Sequence, residues 1–572
     1  MGLYRSATSL AVVALAAAAA VQCDEESTAA QDCKCFPGDD CWPTAAEWSE
    51  FNSTINGKLV ATVPLAAACH DDKWASYDEA TCTKMQNGWL DPETHYPDSA
   101  SIMAPFFANR SCDPFTERSA GCVIGTYVQY TVNVSEAADV AAGIKFANDR
   151  NIRLVIRNTG HDYNGKSTGA GALGLWMHHL NDIEFKDWDD EHYSGKAIKM
   201  GAGVLGGEAY KAADAQGLQV VGGECPTVGI AGGYSQGGGH SALSSRHGMA
   251  ADQTLEWEVV TGTGEHLIAN RENNTDLYWA LSGGGGGTYS VVLSLTSKAH
   301  EDVPTAGANL TFTSAGVSQD AYYEAIATFH ASLPKSADAG VMSVWYFTNE
   351  TFAISPLTGP NVTAEQLKEF LTPLTDKLDE LNIKYTSFFG DFDSYLSFFN
   401  NMFAPIQVGI AQYGGRLIPR SVVENNNTAL TDAYRSITTQ GAQFIGVALN
   451  ASLATAGNPD NAVNPGWRDT LIDTVITTPW NFTAPWEDMI ANQEQMTDVF
   501  MPTLAELTPN GSAYLNEADF RQPDWKDVFY GANYPKLEAI KNKYDPNHLF
   551  YAITAVGSDY WEPQDDGRLC KA

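Results

Sequence analysis

The residues best suited to chemistry lie in three short glycine-rich segments, and the first of these is residues 157–167. It reads Arg-Asn-Thr-Gly-His-Asp-Tyr-Asn-Gly-Lys-Ser and follows an apolar stretch that predicts a buried strand. Gly160 and Gly165 permit tight turns with positive φ. The backbone N–H groups between these glycines can then point inward as an anion-binding nest. The segment suits a pyrophosphate, although an ordinary polar turn with two glycines has the same pattern.

The second segment, residues 222–240, is denser in glycine, with eight glycines among residues 222–239. Glycine at this density indicates backbone that packs closely against a ligand or another backbone. The segment lacks both the G-x-G-x-x-G fingerprint and the Walker sequence, which argues against nicotinamide and nucleoside-triphosphate sites. A flexible linker is the alternative, but Cys225, Pro226 and Val228 within the segment favour a fitted loop.

The third segment is a run of five glycines, residues 283–287, between Ser282 and a predicted strand. Such a run ahead of a strand again indicates close approach to a ligand. The three segments are not periodic themselves, so strands and helices elsewhere in the chain must hold them in place.

The elements that would position these segments predict an α+β fold. Between residues 120 and 302, strand and helix patterns alternate and include one clear hairpin. Residues 303–512 alternate strand-like stretches with long helices, which predicts an antiparallel sheet covered by helices. One of these helices, residues 364–381, is expected to kink or split at Pro373. Residues 513–572 are expected to fold back onto the first domain.

Cysteine usage predicts an oxidising compartment. Of the 10 cysteines in the chain, eight suffice for four disulfides, although the sequence leaves their pairing open. Cys23 lies at the predicted cleavage point described below. Cys225 stands alone, and an odd cysteine in a secreted protein needs a role of its own. The eight are Cys33, Cys35, Cys41, Cys69, Cys82, Cys112, Cys122 and Cys570.

The amino terminus predicts secretion. Arg5 precedes an apolar, alanine-rich run from Ala7 to Val21, so residues 1–22 resemble a signal peptide and residues 23–119 a disulfide-rich N-terminal segment. A membrane anchor is the alternative, but the run is shorter than the roughly 20 residues that a span needs. Eleven N-x-S/T sequons are typical of a secreted glycoprotein. They stand at Asn52, Asn109, Asn133, Asn273, Asn309, Asn349, Asn361, Asn426, Asn450, Asn481 and Asn510.

The charge of the chain limits its partners. The net charge is −35, from 69 acidic and 34 basic residues. Nucleic acid and anionic membrane surfaces are therefore poor partners, since nothing would neutralise their phosphates. We expect a monomer that acts on a small molecule.

Taken in order, the three segments resemble the PCMH-type FAD-binding domain of the vanillyl-alcohol oxidase superfamily. The chain is most similar to its berberine-bridge-enzyme-like branch, and within that branch to fungal secreted isoamyl alcohol oxidases. Three further stretches carry the resemblance, at residues 413–420, 464–468 and 533–537. The resemblance implies a PCMH-type FAD domain over residues 120–302 and a substrate domain over residues 303–512.

The resemblance implies an FAD held by two covalent bonds. His161 matches the histidine that bonds the flavin 8α-methyl, and Cys225 matches the cysteine that bonds C6. The alternatives are a phosphate-contacting histidine and a free buried thiol, since several family members lack the second bond. Val228 matches a position near the flavin N5, where a small side chain favours reaction with oxygen. The residues expected to bind FAD are Arg157, Asn158, Thr159, Gly160, His161, Asp162, Cys225, Pro226, Thr227, Val228, Gly229, Gly232, Gly233, Gly237, Gly238, His240, Gly283, Gly284 and Asn533.

The resemblance also places the catalytic base in a Tyr-x-Asn motif near the C-terminus. Tyr514 matches it as the base and Asn516 as its support. A buried structural tyrosine is the alternative, because a tyrosine acts as a base only when its pKa is lowered from about 10. Many plant relatives carry a glutamine on a strand that faces the flavin, and Gly446 takes its place in this sequence.

Three functions are compatible with these features. The first is an oxidase of small alcohols that releases hydrogen peroxide, and the second is an oxidase of sugars at the anomeric carbon or of specialised metabolites. The third is a flavin-loaded protein that only binds. Aromatic rings on a cleft rim would favour sugars, although core packing is an equally simple account of them. The candidates are Tyr385, Phe388, Tyr395 and Phe398.

No metal site is expected from the sequence. The adjacent residues His178 and His179 would point to opposite faces of a strand. No cysteine or carboxylate set completes a site with them, or with His240 and His247. His240 follows the second glycine-rich segment and is expected to border the flavin.

Overall fold

The computed structural model of the protein describes residues 32–71, 74 and 77–572. The predicted signal peptide at residues 1–22 and Cys23 lie outside the described residues. Within these ranges, no helix combines the length and the apolar character that crossing a bilayer requires.

A four-stranded sheet supports the first glycine-rich segment. Strands Leu154–Arg157 and Tyr130–Asn133 run parallel to Leu173–Trp176 on either side of it, and Leu59–Ala61 adds an antiparallel edge. Helix Ala137–Asp149 makes the crossover between the two outer parallel strands. Its buried residues recur every three or four positions and pack onto this sheet. The first segment therefore begins at the carboxyl end of a buried strand.

A five-stranded antiparallel sheet carries the other two segments. The second segment ends ahead of helix Ser244–His247, and the third follows helix Thr275–Leu281 and enters a strand. The predicted hairpin is confirmed by the pairing of the last two strands of this sheet. In spatial order the strands are Ile183–Asp189, Ser194–Gly201, Ser290–Lys298, Thr254–Thr261 and His266–Asn270.

A seven-stranded antiparallel sheet forms the second half of the molecule. Helices Gln319–Asp338, Ala364–Glu380 and Asn427–Thr438 cover one of its faces. Its other face, which includes Leu417 and Val447, packs on the five-stranded sheet and its loops. The predicted α+β fold, with an antiparallel sheet covered by helices, is confirmed. In spatial order the strands are Tyr385–Phe392, Thr305–Thr313, Thr351–Pro360, Met342–Phe347, Gln443–Ala448, Thr470–Pro479 and Ala411–Pro419.

The helix Ala364–Glu380 is continuous through Pro373, so it does not split there, which was one of the two predicted outcomes. Proline lacks the N–H that would bond the carbonyl of residue 369. Both Pro373 and Glu369 lie on the exposed face, where water can bond that carbonyl instead. The buried leucines of the other face hold the helix against the sheet.

Four disulfides form, as the cysteine count predicted, and Cys225 is the one free cysteine of the described residues. The C-terminal segment returns to the first sheet, where Phe550 forms a bridge beside Leu154. The disulfide pairs are Cys33–Cys570, Cys35–Cys41, Cys69–Cys82 and Cys112–Cys122. The remaining helices longer than six residues are Ala45–Thr54, Glu79–Gly88, Gly206–Asp214, Tyr395–Met402, Trp486–Gln495, Met501–Leu507 and Tyr534–Tyr544.

One buried histidine under the helices makes stability depend on pH. His330 is fully buried among aromatic rings, and burial lowers its pKa to about 3. In the unfolded chain a histidine has a pKa of about 6.5, so at pH 5 the unfolded state binds a proton that the folded state rejects. The free energy of unfolding therefore falls as the pH drops from about 6.5 towards about 3.

Between pH 7 and pH 5, we expect the free energy of unfolding to fall by about 2 kcal/mol less in His330→Phe than in wild type. The measurement is the free energy of unfolding at both pH values for each protein. Packing changes cancel in the difference between the two pH values, and the exposed His266→Phe serves as the control. An unchanged pH difference in His330→Phe would contradict the assignment.

Candidate functional site

The first glycine-rich segment makes the turn that the sequence predicts. Gly160 and Gly165 both adopt positive φ, at 86° and 70°. The guanidinium of Arg157 is buried beneath this turn and donates to the carbonyl oxygens of Ser101, His95 and Thr159. A side chain at position 160 would collide with this guanidinium. Arg157 therefore supports the loop from below, whereas the loop itself lines a cleft.

The structure brings together the two residues predicted to bond the flavin. Sγ of Cys225 lies 3.9 Å from Nε2 of His161, although 64 positions separate them in the chain. The hydroxyl of Thr227 contacts both atoms, at 2.7 Å from Nε2 and 3.3 Å from Sγ. Burial lowers the pKa of His161 to about 3, so its imidazole is neutral and nucleophilic. Burial raises the pKa of the Cys225 thiol, so a smaller fraction of it is thiolate at a given pH.

One cleft runs over both loops and collects most of the predicted cofactor residues. The C-terminal segment contributes Phe550 and Tyr551 to the lining, together with the predicted catalytic residues Tyr514 and Asn516. The predicted cofactor residues that line this cleft are Asn158, Thr159, Gly160, His161, Asp162, Cys225, Val228, Gly229, Gly232, Gly233 and His240.

The other predicted cofactor residues support the cleft without lining it. Gly283 packs against the backbone of Val463, and Asn533 donates to the carbonyl oxygens of residues 462 and 463 at 3.2 and 3.3 Å. The third segment reaches the cleft through Gly286 and Gly287 instead. The residues outside the lining are Arg157, Pro226, Thr227, Gly237, Gly238, Gly283, Gly284 and Asn533.

Four side chains that the sequence did not group form an acid–histidine cluster beside Tyr514. The cluster consists of Glu224, His240, Asp473 and Glu517. Nε2 of His240 lies 3.1 Å from Oε1 of Glu517, and its Nδ1 lies 3.4 Å from Oε1 of Glu224. Although burial opposes the charged form, these two carboxylates raise the pKa of His240 well above its ordinary value.

Asp473 is the most deeply buried member of the cluster. It is fully excluded from solvent, and neither of its carboxyl oxygens has a hydrogen-bond partner among the described residues. Burial, followed by the charge of Glu517, raises its pKa well above the ordinary value. A neutral, protonated Asp473 follows, because an unpaired carboxylate is too costly to bury.

The strand register shows why the sequence missed Asp473 and misplaced Gly446. A side chain at position 446 would collide with the indole of Trp345, in the core under the helices. The prediction that Gly446 faces the flavin is therefore wrong. Its neighbour Val447 points to the opposite face and pairs with Asp473 on the next strand. The polar residue on the face that packs on the five-stranded sheet and its loops is thus Asp473. It belongs to strand Thr470–Pro479 and not to Gln443–Ala448.

The aromatic residues proposed for a sugar-binding rim lie elsewhere. Tyr395 and Phe398 are buried in the core, and Tyr385 and Phe388 stand on the edge strand of the seven-stranded sheet. None of the four lines the cleft. A different pair does reach it, because Tyr163 lines the cleft and stacks on Tyr413 with ring centroids 3.8 Å apart.

Comparison with known proteins supports the prediction that this cleft binds FAD. A family model described as FAD binding domain matches residues 128–270, and one described as Berberine and berberine like matches residues 513–557. The chain is 48% identical over 546 residues to the FAD-linked oxidoreductase ZEB1 of Gibberella zeae, covering 95% of both chains.

Two solved structures extend the comparison. The VAO-type flavoprotein MtVAO615 of Myceliophthora thermophila C1 is 42% identical, with a TM-score of 0.90 over 94% of this chain and 100% of that one. A glucooligosaccharide oxidase of Acremonium strictum, described with a 6-S-cysteinyl, 8α-N1-histidyl FAD, is 19% identical. Its TM-score is 0.59 over 75% of this chain and 92% of that one, so the likeness is one of fold.

Proposed function

The chain belongs to the berberine-like, VAO-type FAD-linked oxidoreductases, and from that premise we propose that it oxidises a hydroxyl-bearing carbon of a small alcohol and passes the electrons to oxygen. FAD is the cofactor. When bound, it supplies the hydride acceptor and the electron path to oxygen. The observation that carries the proposal is a single cleft in which His161 and Cys225 lie together and Tyr514 and Glu517 stand on the wall.

The residues of the cleft fit a flavin held at two points. The flavin C6 and 8α-methyl belong to the same ring, so the residues that bond them must be neighbours, as His161 and Cys225 are. The neutral imidazole suits bond formation better than the thiol with its raised pKa. We therefore infer that His161 holds the 8α-methyl and Cys225 holds C6, the second being the slower to form. Val228 lines the same wall, and its small side chain favours access of oxygen.

We expect the flavin to stay on the unfolded chain. Mass spectrometry of the acid-unfolded protein measures this directly. Wild type, Cys225→Ser and His161→Ala should each retain the flavin mass, because one bond is sufficient, whereas the double variant should lose it. Complete loss in His161→Ala alone would show that Cys225 forms no bond.

Tyr514 and Asn516 orient the substrate hydroxyl in this proposal. The amide of Asn516 donates to the Tyr514 hydroxyl at 2.8 Å and to the carbonyl of Gly233 at 2.9 Å. Burial and the charge of Glu517 raise the pKa of Tyr514 well above its usual range. A tyrosine with a raised pKa stays protonated, so it acts as a hydrogen-bond donor and not as a proton acceptor. The raised pKa therefore argues against the predicted role of Tyr514 as base, which requires a lowered pKa.

The test is peroxide release from a panel of alcohols, sugars and phenols, together with the rate at which air reoxidises the reduced flavin. Release from alcohols with fast reoxidation would support the proposal, and slow reoxidation would indicate a dehydrogenase. The stack of Tyr163 on Tyr413 favours one second candidate, an oxidase of sugars or oligosaccharides at the anomeric carbon. Release from sugars alone would support that candidate, and no release from any compound would favour a binding protein.

We further propose that the enzyme is a secreted monomeric glycoprotein. Four disulfides favour an oxidising compartment, and no asparagine of the eleven sequons is buried. The predicted signal peptide agrees with this. Recovery of the protein from the medium of a eukaryotic host, with a mass that falls on glycosidase treatment, would test it.

A further inference from the structure

Some members of the acid–histidine cluster must be protonated, which could not be predicted from the sequence. The exposed fractions of the His240, Glu224 and Glu517 side chains are only 6%, 17% and 24%, and Asp473 is fully buried. Three ionised carboxyls around a neutral imidazole would place three like charges together in a poorly solvated region. Protons on Asp473 and His240 remove this repulsion and leave Glu224 and Glu517 as the carboxylates that pair with the imidazolium.

Glu517 is the member of the cluster placed to meet a substrate. It is the most exposed of the four and lines the cleft beside Tyr514 and His240. Its Oε1 contacts His240, whereas its Oε2 forms no hydrogen bond within the ranges the structure describes. One carboxylate oxygen is thus fixed and the other is available at the cleft.

Tyr514 has the geometry of a donor that works with this carboxylate. Its ring meets the edge of the His240 imidazole with centroids 5.5 Å apart. Its hydroxyl accepts from Asn516, which leaves its own proton for a substrate oxygen. A hydroxyl that lay between Tyr514 and Oε2 of Glu517 would accept one hydrogen bond and donate the other.

We propose that Glu517 is the catalytic base of the oxidation, that His240 positions it through the Nε2–Oε1 contact, and that Tyr514 is the hydrogen-bond donor. The proposal rests on the proposed alcohol oxidase function. The substrate O–H and C–H bonds break and a C=O bond forms. The proton passes to Glu517. FAD, when bound, would supply the acceptor for the hydride, and oxygen would take up the two electrons and both hydrogens as hydrogen peroxide.

The decisive variant is Glu517→Gln, which keeps the shape and the contact with His240 but cannot accept a proton. We expect the rate of flavin reduction at saturating substrate to fall about 10²–10⁴-fold at unchanged flavin content. Glu517→Asp should restore part of the rate, and Glu494→Gln on an exposed helix face is the matched control. Tyr514→Phe removes one donor and should lose only about 10-fold.

The role of His240 has a separate readout. In His240→Gln the positive charge beside Glu517 is gone, so the acidic limb of the flavin-reduction rate should move to higher pH. The other titratable groups that face Glu517 are Glu224, Asp473, Tyr163 and Tyr413, with Tyr514, and all of them stay in place. An unmoved pH profile would overturn the positioning role.

Several results would overturn the proposal. Near wild-type reduction in Glu517→Gln together with a severe loss in Tyr514→Phe would identify Tyr514 as the base. Loss of activity in chelator with recovery on adding Mn²⁺ or Zn²⁺ would show that His240, Asp473 and Glu517, whose donor atoms lie within 4.8 Å of one another, hold a metal.

A substrate-independent measurement separates this proposal from the proposed function. The absorbance of bound FAD should titrate with pH in wild type, and the step should be absent in Glu517→Gln. If wild type oxidises no alcohol while this step is present, the proposed function fails and the placement of Glu517 stands. If the step is unchanged in Glu517→Gln, the placement itself is wrong.

Discussion

Asp545→Asn is expected to lower the free energy of unfolding by about 3–5 kcal/mol, because it breaks a fully buried ion pair and leaves the buried Lys541 without its anionic partner. Nζ of Lys541 lies 2.6 Å from Oδ2 of Asp545, and neither side chain is more than 1% exposed. Lys541 also donates to the carbonyl oxygens of Thr288 and Phe550 at 2.8 and 2.7 Å. The pair therefore joins the third glycine-rich segment to the C-terminal segment.

Asp545 also holds a part of the chain that lines the cleft. It accepts from the backbone N–H groups of Leu549 and Phe550, both at 2.9 Å, and Phe550 lines the cleft. We expect loss of bound FAD to accompany the loss of stability. Thermal or denaturant unfolding of the FAD-loaded protein measures the effect.

The chain offers a matched control for this prediction. Lys145 and Asp149 form a pair of the same types at the same spacing of four residues, but both side chains are more than half exposed. Asp149→Asn should leave the unfolding midpoint almost unchanged, since solvent screens exposed pairs. Equal effects of the two asparagine variants would contradict the importance of burial.

His161→Ala is expected to slow flavin reduction by substrate about 10²-fold, because a loss of about 1 Å in the placement of reacting atoms costs that much in rate. His161 fixes one side of the flavin ring in the proposed arrangement, and Cys225 would hold it alone after the change. The comparison needs equal flavin content, which absorbance after unfolding provides. Stopped-flow reduction at saturating substrate gives the rate.

The exposed His266→Ala, which removes only a surface contact to Glu258, is the control for His161→Ala. A change in the substrate concentration needed for half-maximal rate, without a change in the maximal rate, would argue against a role in orienting the cofactor. A full maximal rate in His161→Ala would show that the Cys225 bond alone orients the flavin.

Much of the fold and of the cofactor loops could be predicted from the sequence because both depend on local features. Strand and helix periodicity, and the glycines of the first loop, report on backbone conformation within a few residues. The predicted hairpin forms between strands Thr254–Thr261 and His266–Asn270, and Gly160 and Gly165 adopt positive φ. Counting the cysteines was likewise enough to predict four disulfides and the free Cys225.

The proton-handling half of the site depended on the tertiary structure alone. Glu224 and Glu517 are far apart in the chain and meet only because the C-terminal segment folds back over the second glycine-rich loop. Asp473 sits in a buried strand, and which face its side chain takes depends on strand register, where a shift of one residue reverses every side chain. The same strand register places position 446 on the opposite face of the sheet, away from the cleft.

The sequence by itself thus identified the residues that we propose hold the flavin, because the glycine loops, His161 and Cys225 are each recognisable within a few neighbouring residues. Only the tertiary structure brought together the residues that we propose handle the proton, because the charge state of His240 depends on carboxylates that reach it from other parts of the chain. Burial and charge pairing are properties of the assembled site, and no local pattern encodes them.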